Sequence, residues 1–437
     1  ATRADTKGEG VVISGNPGIG KSWFLSYVMF RVAHDEPHRA VVFESVAKAK
    51  LWVFGADGGV RVEDWEERRH TAELDDASTV YLFDPAGKST GETREPHRCR
   101  AFTIVASSPD KSHYGDFLKH GGKKLFMAAW TLEELVAVAP YVRGTPSAEE
   151  VERRFLHHGG ISRAVLSDDP DFWERELTDA ISTCDLAAVK RSVGLSDTVA
   201  AATHKVLVYD VLDEDPPCTR ARARFASDAV ARDFSAILLR NRQTEMLDFL
   251  RDAEGRPELA VVGGKLFENW MHNVLQRGGR FRVRRLNGAP LDGGDPECVE
   301  LPALRQVDVR CVDDLEPDDG DGIYLRPTGG NFPALDALIH CTDTSGRAFS
   351  STIGLQATVS LHHPLKAARL VEILEQLDVS RADRFDLFFV VWPAAFDDFG
   401  EQNYLNVGRR VAGRLPALIS HAVTQWVLEL PIAEPGD

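Results

Sequence analysis

The sequence runs to 437 residues with a formal charge of −16, 43% hydrophobic and 27% charged residues. That length exceeds one ordinary core, so two or three domains are expected, and the composition is that of a globular chain, neither disordered nor fibrous. The acidic balance excludes a surface that is basic all over but not a local basic groove, and no apolar run is long enough to cross a bilayer.

No signal peptide is read at the start, where the first residue is Ala1, so a targeting segment removed upstream is compatible with the sequence. The six cysteines are scattered without a Cys-x-x-Cys pair, which gives neither a zinc nor a disulfide pattern and fits a reducing compartment.

In chain order, Val11-Val12-Ile13-Ser14 leads into Gly15-Asn16-Pro17-Gly18-Ile19-Gly20-Lys21-Ser22. An amphipathic run containing Trp23, Phe24, Tyr27, Val28, Phe30, Arg31 and Val32 follows. Strand, glycine loop and helix in that order suit a polyphosphate. The glycines let backbone N–H groups point inward, and the helix start adds partial positive charge. Lys21 then reaches the β- and γ-phosphate oxygens while the Ser22 hydroxyl holds Mg²⁺, so ATP or another nucleoside triphosphate is the expected ligand.

To about Trp130, β-like runs at Val11–Ser14, Ala40–Ser45, Thr79–Asp84, Phe102–Ser107 and Lys124–Met127 alternate with polar or helical segments. They predict a parallel sheet with helices on both faces. Leu51–Ala56 and Val60–Glu63, separated by Asp57-Gly58-Gly59, read as an inserted hairpin. Thr79–Asp84 is an apolar strand ending in a carboxylate, and Asp84 is expected in the Mg²⁺ shell beside the glycine loop. Pro85 follows where many ATPases carry a water-activating Glu, which leaves Glu44 as a weak candidate base. If Phe102–Ser107 lies between the other two strands, Ser107 or Ser108 senses the γ-phosphate; the alternative is a capping serine. Arg100, Lys111 and Lys119 are equivalent candidates for a charge-neutralising finger.

After Trp130 the pattern turns helical to about Asp252. Thr131 with Glu134 is a helix-start pattern. His157-His158-Gly159-Gly160-Ile161-Ser162-Arg163 reads as the opening of another helix. Adjacent histidines cannot share a helix face, so no metal site is expected there. Arg163 is a candidate to reach the γ-phosphate from a helical lid, or else a surface arginine. Two basic clusters, Arg220–Arg224 and Arg280–Arg285, read as solvated faces more than phosphate tracks.

A third unit begins near Gly255. Gly263–Met271 starts an amphipathic helix carrying Glu268, and residues 287–330 read as loop with a strand near Leu304–Cys311. Asn331–His340 is a strand with Asp336 in its apolar run, and Ser351–Ser360 is a second strand with Gln356. A helix follows Lys366, then strands at Phe385–Trp392 and Trp426–Leu430. Helix with Glu, strand with Asp, strand, helix, strand is the order of a restriction-endonuclease-like αβββαβ core. Such cores carry (Glu/Gln)-x-Lys on the second strand, whereas here the third position is Thr358; Lys366 is the candidate to project its ammonium into the same space. The competing reading makes Asp336 a strand-end cap and Gln356 a partner for buried backbone groups.

Several of these stretches together resemble the Crinkler and retrotransposon-hot-spot proteins. They are Gly15–Ser22 with Phe24-Leu25, Val42–Ser45, Tyr81–Asp84, Ser107-Ser108-Pro109, Trp130–Leu135 and Gly159–Arg163. In the C-terminal part they are Asn331–Asp336 and Leu355–Ser360 with His362 or His363 and Lys366. The resemblance implies a P-loop NTPase of the AAA/STAND-like branch (1–130), a helical middle segment (131–254) and a restriction-endonuclease-like domain (255–437). It also implies a secreted cytotoxic effector acting in host cells, usually in the nucleus, with double-stranded DNA as substrate, Mg²⁺ as cofactor, a host nuclear protein as a further partner and no membrane. In that family Gln-x-Thr often stands where nucleases carry Glu-x-Lys. The expected nuclease-like set is Glu268, Asp336, Gln356 and Lys366, with Glu268 and Asp336 on the metal. Oligomerisation is open, and the alternative is a nucleotide-gated DNA- or protein-binding module with an inactive nuclease fold.

Overall fold

Val12, Val42, Leu82, Phe83 and Val105 are fully buried and mark the centre of a sheet whose edge carries the glycine loop. The computed structural model describes residues 10–64, 71–85, 95–193, 203–212, 215–253, 256–288, 294–295, 297–315, 320–328, 334–342, 349–406 and 411–431. The chain divides once, into compact units Ala1–Phe234 and Ser235–Asp437. The division does not fall near residue 130: of the segment expected at 131–254, residues up to Phe234 lie in the first unit and those from Ser235 in the second.

The first unit contains β1 (Gly10–Ser14), β2 (Val41–Ser45), β3 (Lys50–Phe54), β4 (Val60–Asp64), β5 (Val80–Asp84), β6 (Phe102–Ser107) and β7 (Lys123–Phe126). They form one sheet in the order β4-β3-β2-β5-β6-β1-β7. The five strands from β2 to β7 in that order run parallel, as their apolar runs suggested. The hairpin β3–β4 extends the edge antiparallel. β6 lies between β1 and β5, the condition set for Ser107 to approach the loop. The crossovers carry less helix than expected. The β3–β4 hairpin occupies much of the β2-to-β5 connection, and the helix between β6 and β7 is only Gly115–Lys119.

The helix Lys21–Asp35 buries Leu25 against Val41, Val80, Leu82 and Ala106 while Trp23, Tyr27 and Phe30 stay exposed. Thr131 and Glu134 form the expected capping box of Leu132–Val138. His157 and His158 close the helix Ala148–His158 and do not open one; Gly159 caps it at φ 59°. The segment read as helical apart from a few breaks also contains a hairpin, β8 (Leu207–Val211) with β9 (Ala221–Phe225). The Arg220–Arg224 run is therefore a strand in which Ala223 and Phe225 are buried and Arg222 pairs with Asp210. Period-2 alternation decides that outcome over helical propensity.

In the second unit the strands are β10 (Gly279–Arg285), β11 (Cys298–Leu301), β12 (Arg305–Val309), β13 (Ile323–Pro327), β14 (Ala337–His340) and β15 (Thr352–Ala357). They continue with β16 (Leu365–Lys366), β17 (Phe385–Val391), β18 (Tyr404–Leu405) and β19 (Val423–Glu429). Eight of them make a sheet in the order β11-β10-β19-β17-β15-β14-β13-β12, and β16 pairs with β18 separately. β15, β17 and β19 run parallel, and every residue of β17 is buried. Leu370, Ile373 and Leu374 of the helix Ala367–Gln376 pack into the same core as Phe385, Leu387 and Phe389. The helix Ala260–Arg277, β14, β15, the helix Ala367–Gln376 and β17 occur in the order read from the sequence, with β10–β13 inserted between that first helix and β14.

Four details differ from the sequence reading. Residues 287–330 contain β11 and β13 besides the anticipated strand at β12. The last strand starts at Val423, three residues before Trp426. Asp336 immediately precedes β14 and is tied to β15 through its backbone N–H to Leu355 O at 2.8 Å, while Asn331–Pro333 lie outside the described residues. The Arg280–Arg285 run is β10, and its charges are met internally. Arg282 pairs with Asp397 and Glu429, Arg284 donates to Phe396 O and Phe399 O, and Arg285 pairs with Asp295.

Candidate functional site

At the C-terminal edge of the first sheet, neighbouring strands β5, β6 and β1 end at Asp84, Ser107 and Ser14, all buried. The loop Gly15–Gly20 leaves that edge and enters the helix at Lys21. Gly20 caps the helix at φ 99°, a left-handed conformation that side chains rarely adopt. Pro17 and Ser22 are exposed, and Gly18 is half-buried.

Asn16 and Ile19 are buried and serve as anchors for the loop. Asn16 Nδ2 donates to Leu207 O at 2.7 Å and to His204 O at 3.2 Å, and its Oδ1 accepts the Tyr209 N–H at 2.8 Å. Its side chain is thus committed to the protein and not to a phosphate. Ile19 O accepts the Trp130 indole N–H at 2.7 Å. Gly18 O accepts both the Arg163 N–H at 2.9 Å and the Ser162 hydroxyl at 3.0 Å. The close approach needs Gly160: a Cβ there would lie 2.2 Å from Trp130 O.

Lys21 Nζ donates to Gly15 O at 2.8 Å and Asn16 O at 2.7 Å, so it lies folded over its own loop. Burial and then the Arg163 charge push its pKa down to about 7, against the opposing pull of Asp84. Arg163 and Asp84 are therefore within electrostatic reach of the Lys21 ammonium. The His204 imidazole is pushed down to about 4 by burial and then by Lys21. Ser107 Oγ shares a hydrogen bond with His113 Nδ1 at 3.0 Å. Glu44, weighed as a base, is fully buried and accepts the Tyr81 hydroxyl. Sequence reasoning missed Trp130, His113 and His204 at this site. Trp130 stood in a recognisable stretch, but no spacing rule tied it to a loop 111 residues away.

The second unit brings Glu268, Asp336 and Gln356 together. Gln356 Nε2 donates to Asp336 Oδ2 at 2.6 Å, and the Ala357 N–H donates to the same oxygen at 2.7 Å. Burial and then the Glu268 charge push the Asp336 carboxyl up to about 8, against the Ala357 N–H, Lys265 and Gln356. Burial also acts upward on Glu268. His272 and Lys265 outweigh it and hold that carboxyl below its ordinary value. Lys265 Nζ donates to Glu268 Oε1 at 2.7 Å and Oε2 at 2.9 Å, and His272 Nε2 lies 3.6 Å from Oε1. His272 Nδ1 in turn meets Tyr324 Oη at 2.8 Å, and Arg326 donates to Asn269 Oδ1 at 2.6 Å.

The lysine at the carboxylates is Lys265, not Lys366, which is exposed ahead of the helix Ala367–Gln376. Thr358 turns its hydroxyl to the local backbone, accepting the Ser360 N–H and donating to Ser360 O, both at 3.1 Å. Two carboxylates and an amide oxygen are hard donors of the kind Mg²⁺ takes. The upward shift of Asp336 comes first from burial and only then from the Glu268 charge, so the two carboxyls are enclosed within electrostatic reach of each other. Among the described residues no group of three or more His, Cys, Asp or Glu side chains is gathered to hold a metal ion, so any cation here would rest on Glu268 and Asp336 alone among such side chains.

The chain is similar to Crinkler effector proteins. Crinkler effector proteins 15 and 16 of Phytophthora infestans are each 26% identical to it over 369 residues. The match covers 81% of this chain and 55% of either relative, so the chain spans about half their length. No family model matches. Among the described residues no helix is long and apolar enough to cross a membrane.

Proposed function

We propose that this chain is the effector module of a secreted Crinkler-type protein. It binds and hydrolyses ATP, or another nucleoside triphosphate, at Gly15–Ser22, and it cleaves double-stranded host DNA, in the nucleus, at Glu268, Asp336 and Gln356. The observation that carries the reading is the approach of two carboxyls distant in sequence and a glutamine to one another, in a chain that also has the glycine loop Gly15–Gly20 entering a helix at Lys21.

At the loop, Lys21 would exchange its two carbonyl contacts for phosphate oxygens, with Arg163 adding a second cation and Ser107 a hydroxyl. Ser22 and Asp84 would hold the nucleotide's Mg²⁺. At the second site Asp336 and Glu268 would hold Mg²⁺, which supplies Lewis-acid stabilisation of phosphorane charge when bound. Gln356 orients Asp336 through its amide.

The test is plasmid nicking in Mg²⁺ with and without ATP, comparing wild type with Asp336→Ala and Lys21→Met. Loss of nicking in Asp336→Ala and loss of ATP turnover in Lys21→Met are expected. Equal nicking by wild type and Asp336→Ala ends the nuclease assignment. A second reading, a nucleotide-gated binding module without cleavage, draws on Thr358, whose hydroxyl serves the local turn. It gains if DNA affinity responds to ATP while no strand is cut.

A further inference from the structure

The nuclease reading leaves one part unassigned, the cation that faces the scissile phosphate. The strand position where it is expected holds Thr358, and a neutral hydroxyl engaged with Ser360 supplies no charge. Lys366 is exposed and starts a helix whose buried face packs into the core.

The helix Ala260–Arg277 runs past that strand end. A Cβ on Gly264 would lie only 4.0 Å from Val359 Cγ2, so the backbone beside Lys265 is within a side-chain length of the residue after Thr358. Lys265, Glu268 and His272 stand at i, i+3 and i+7 and share one helix face. On that face Lys265 reaches both Glu268 oxygens, and its charge also acts on Asp336. Arg326, a second cation nearby, donates to Asn269 one turn along.

We propose that Lys265 is the catalytic cation of the second site, supplied from the helix in place of the strand lysine that Thr358 displaces. This rests on the nuclease reading above. A water oxygen bonds to phosphorus as the bond from phosphorus to the leaving sugar oxygen breaks. The attacking water gives up one proton to solvent, and the leaving oxygen takes one up. Lys265 contributes its ammonium to the charge that accumulates on the non-bridging oxygens between those events. In the protein without DNA the same ammonium neutralises Glu268, so it competes with the metal for that carboxylate.

The two roles predict opposite effects of one substitution. In Lys265→Met of the full chain, nicking of supercoiled plasmid in Mg²⁺ falls about 100-fold, the scale of losing one charge-stabilising donor. Mn²⁺ binding measured by titration calorimetry becomes tighter, because the competing charge is gone. Lys265→Arg keeps the charge and retains part of the cleavage, and thermal melting followed by circular dichroism checks that each variant is folded. If Lys265→Met cuts at the wild-type rate while Asp336→Asn does not cut, the nuclease reading stands and Lys265 has no part in it. If wild type and Asp336→Asn nick equally, the nuclease reading fails and the role of Lys265 with it. Unchanged or weaker Mn²⁺ binding in folded Lys265→Met overturns the competition between Lys265 and metal.

Discussion

Tyr209 donates its backbone N–H to Asn16 Oδ1 at 2.8 Å across 193 residues of sequence. With Leu207 O and His204 O on its amide nitrogen, the Asn16 side chain fastens the glycine loop to the start of the β8–β9 hairpin. Asn16→Ala leaves these buried backbone groups without their partner, at a cost of about 3 kcal/mol. Urea denaturation of the full chain measures it; a change below about 0.5 kcal/mol would remove the anchor role.

Lys21 carries a pH dependence of definite sign. Its folded pKa of about 7 lies below the ordinary lysine value of 10.5, so the unfolded chain binds more protons between those limits. Stability of the nucleotide-free protein therefore gains a contribution as pH rises from about 7 towards 10.5. Lys21→Met removes that contribution. A triphosphate favours the ammonium, so ATP binding takes up a proton and weakens as pH rises above about 7. Calorimetry in buffers of different ionisation enthalpy reads the proton count directly, and a count of zero at pH 8 would contradict this.

Gly160 has no room for a side chain. A Cβ would lie 2.2 Å from Trp130 O and 2.6 Å from Trp130 N, both backbone atoms that cannot move independently. Gly160→Ala is expected to destabilise by roughly 1–3 kcal/mol and to loosen the Trp130 indole from Ile19 O. Its ATP affinity should fall with its melting temperature; wild-type affinity in the folded variant would separate the clamp from nucleotide binding.

Asp336 in the second unit has the opposite sign to Lys21. Asp336 is pushed up to about 8 from 3.8, so the folded protein holds the proton longer than the unfolded chain. Its contribution to stability is fully present below the unfolded value and is lost as pH rises through about 8. Asp336→Asn flattens this dependence. Mg²⁺ should raise the melting temperature of wild type more at pH 8 than at pH 5, and should leave Asp336→Asn nearly unchanged. Equal Mg²⁺ shifts in the two proteins would argue against a metal at this carboxyl.

The arginines of β10 are predicted to stay out of DNA contact. Arg282 is occupied by Asp397 and Glu429 and lies over the Phe396 ring at 4.3 Å. A residue that contacts phosphate changes the slope of log affinity against log salt by about 1 when removed. Arg282→Ala should leave that slope unaltered while lowering stability, and a slope reduced by about 1 would make β10 part of the nucleic-acid surface.

Much of this molecule was legible because its signals are local. Gly15–Ser22 combines a strand, a glycine turn and a helix start within contiguous residues, and the parallel strands β1, β2, β5, β6 and β7 are short apolar runs. β9 and β10 were hidden by their arginines, since a strand with one charged face resembles a solvated basic run until its period-2 burial is known. Lys366 attracted attention by lying near the Asp336 and Gln356 strands in sequence, whereas Lys265 comes to them on a helix far earlier in the chain.

From the residues alone followed the strand, glycine loop and helix at Gly15–Ser22, the five parallel strands of the first sheet and the set Glu268, Asp336 and Gln356, because backbone propensity and side-chain period act over a few residues. Tertiary structure alone decided that Trp130, Ser162 and Arg163 close on the loop. It alone set Asn16 as an anchor and brought Lys265 to the carboxylates. Those pairings are hydrogen bonds and charge contacts made in space between segments far apart along the chain, and no local period encodes which distant group will arrive.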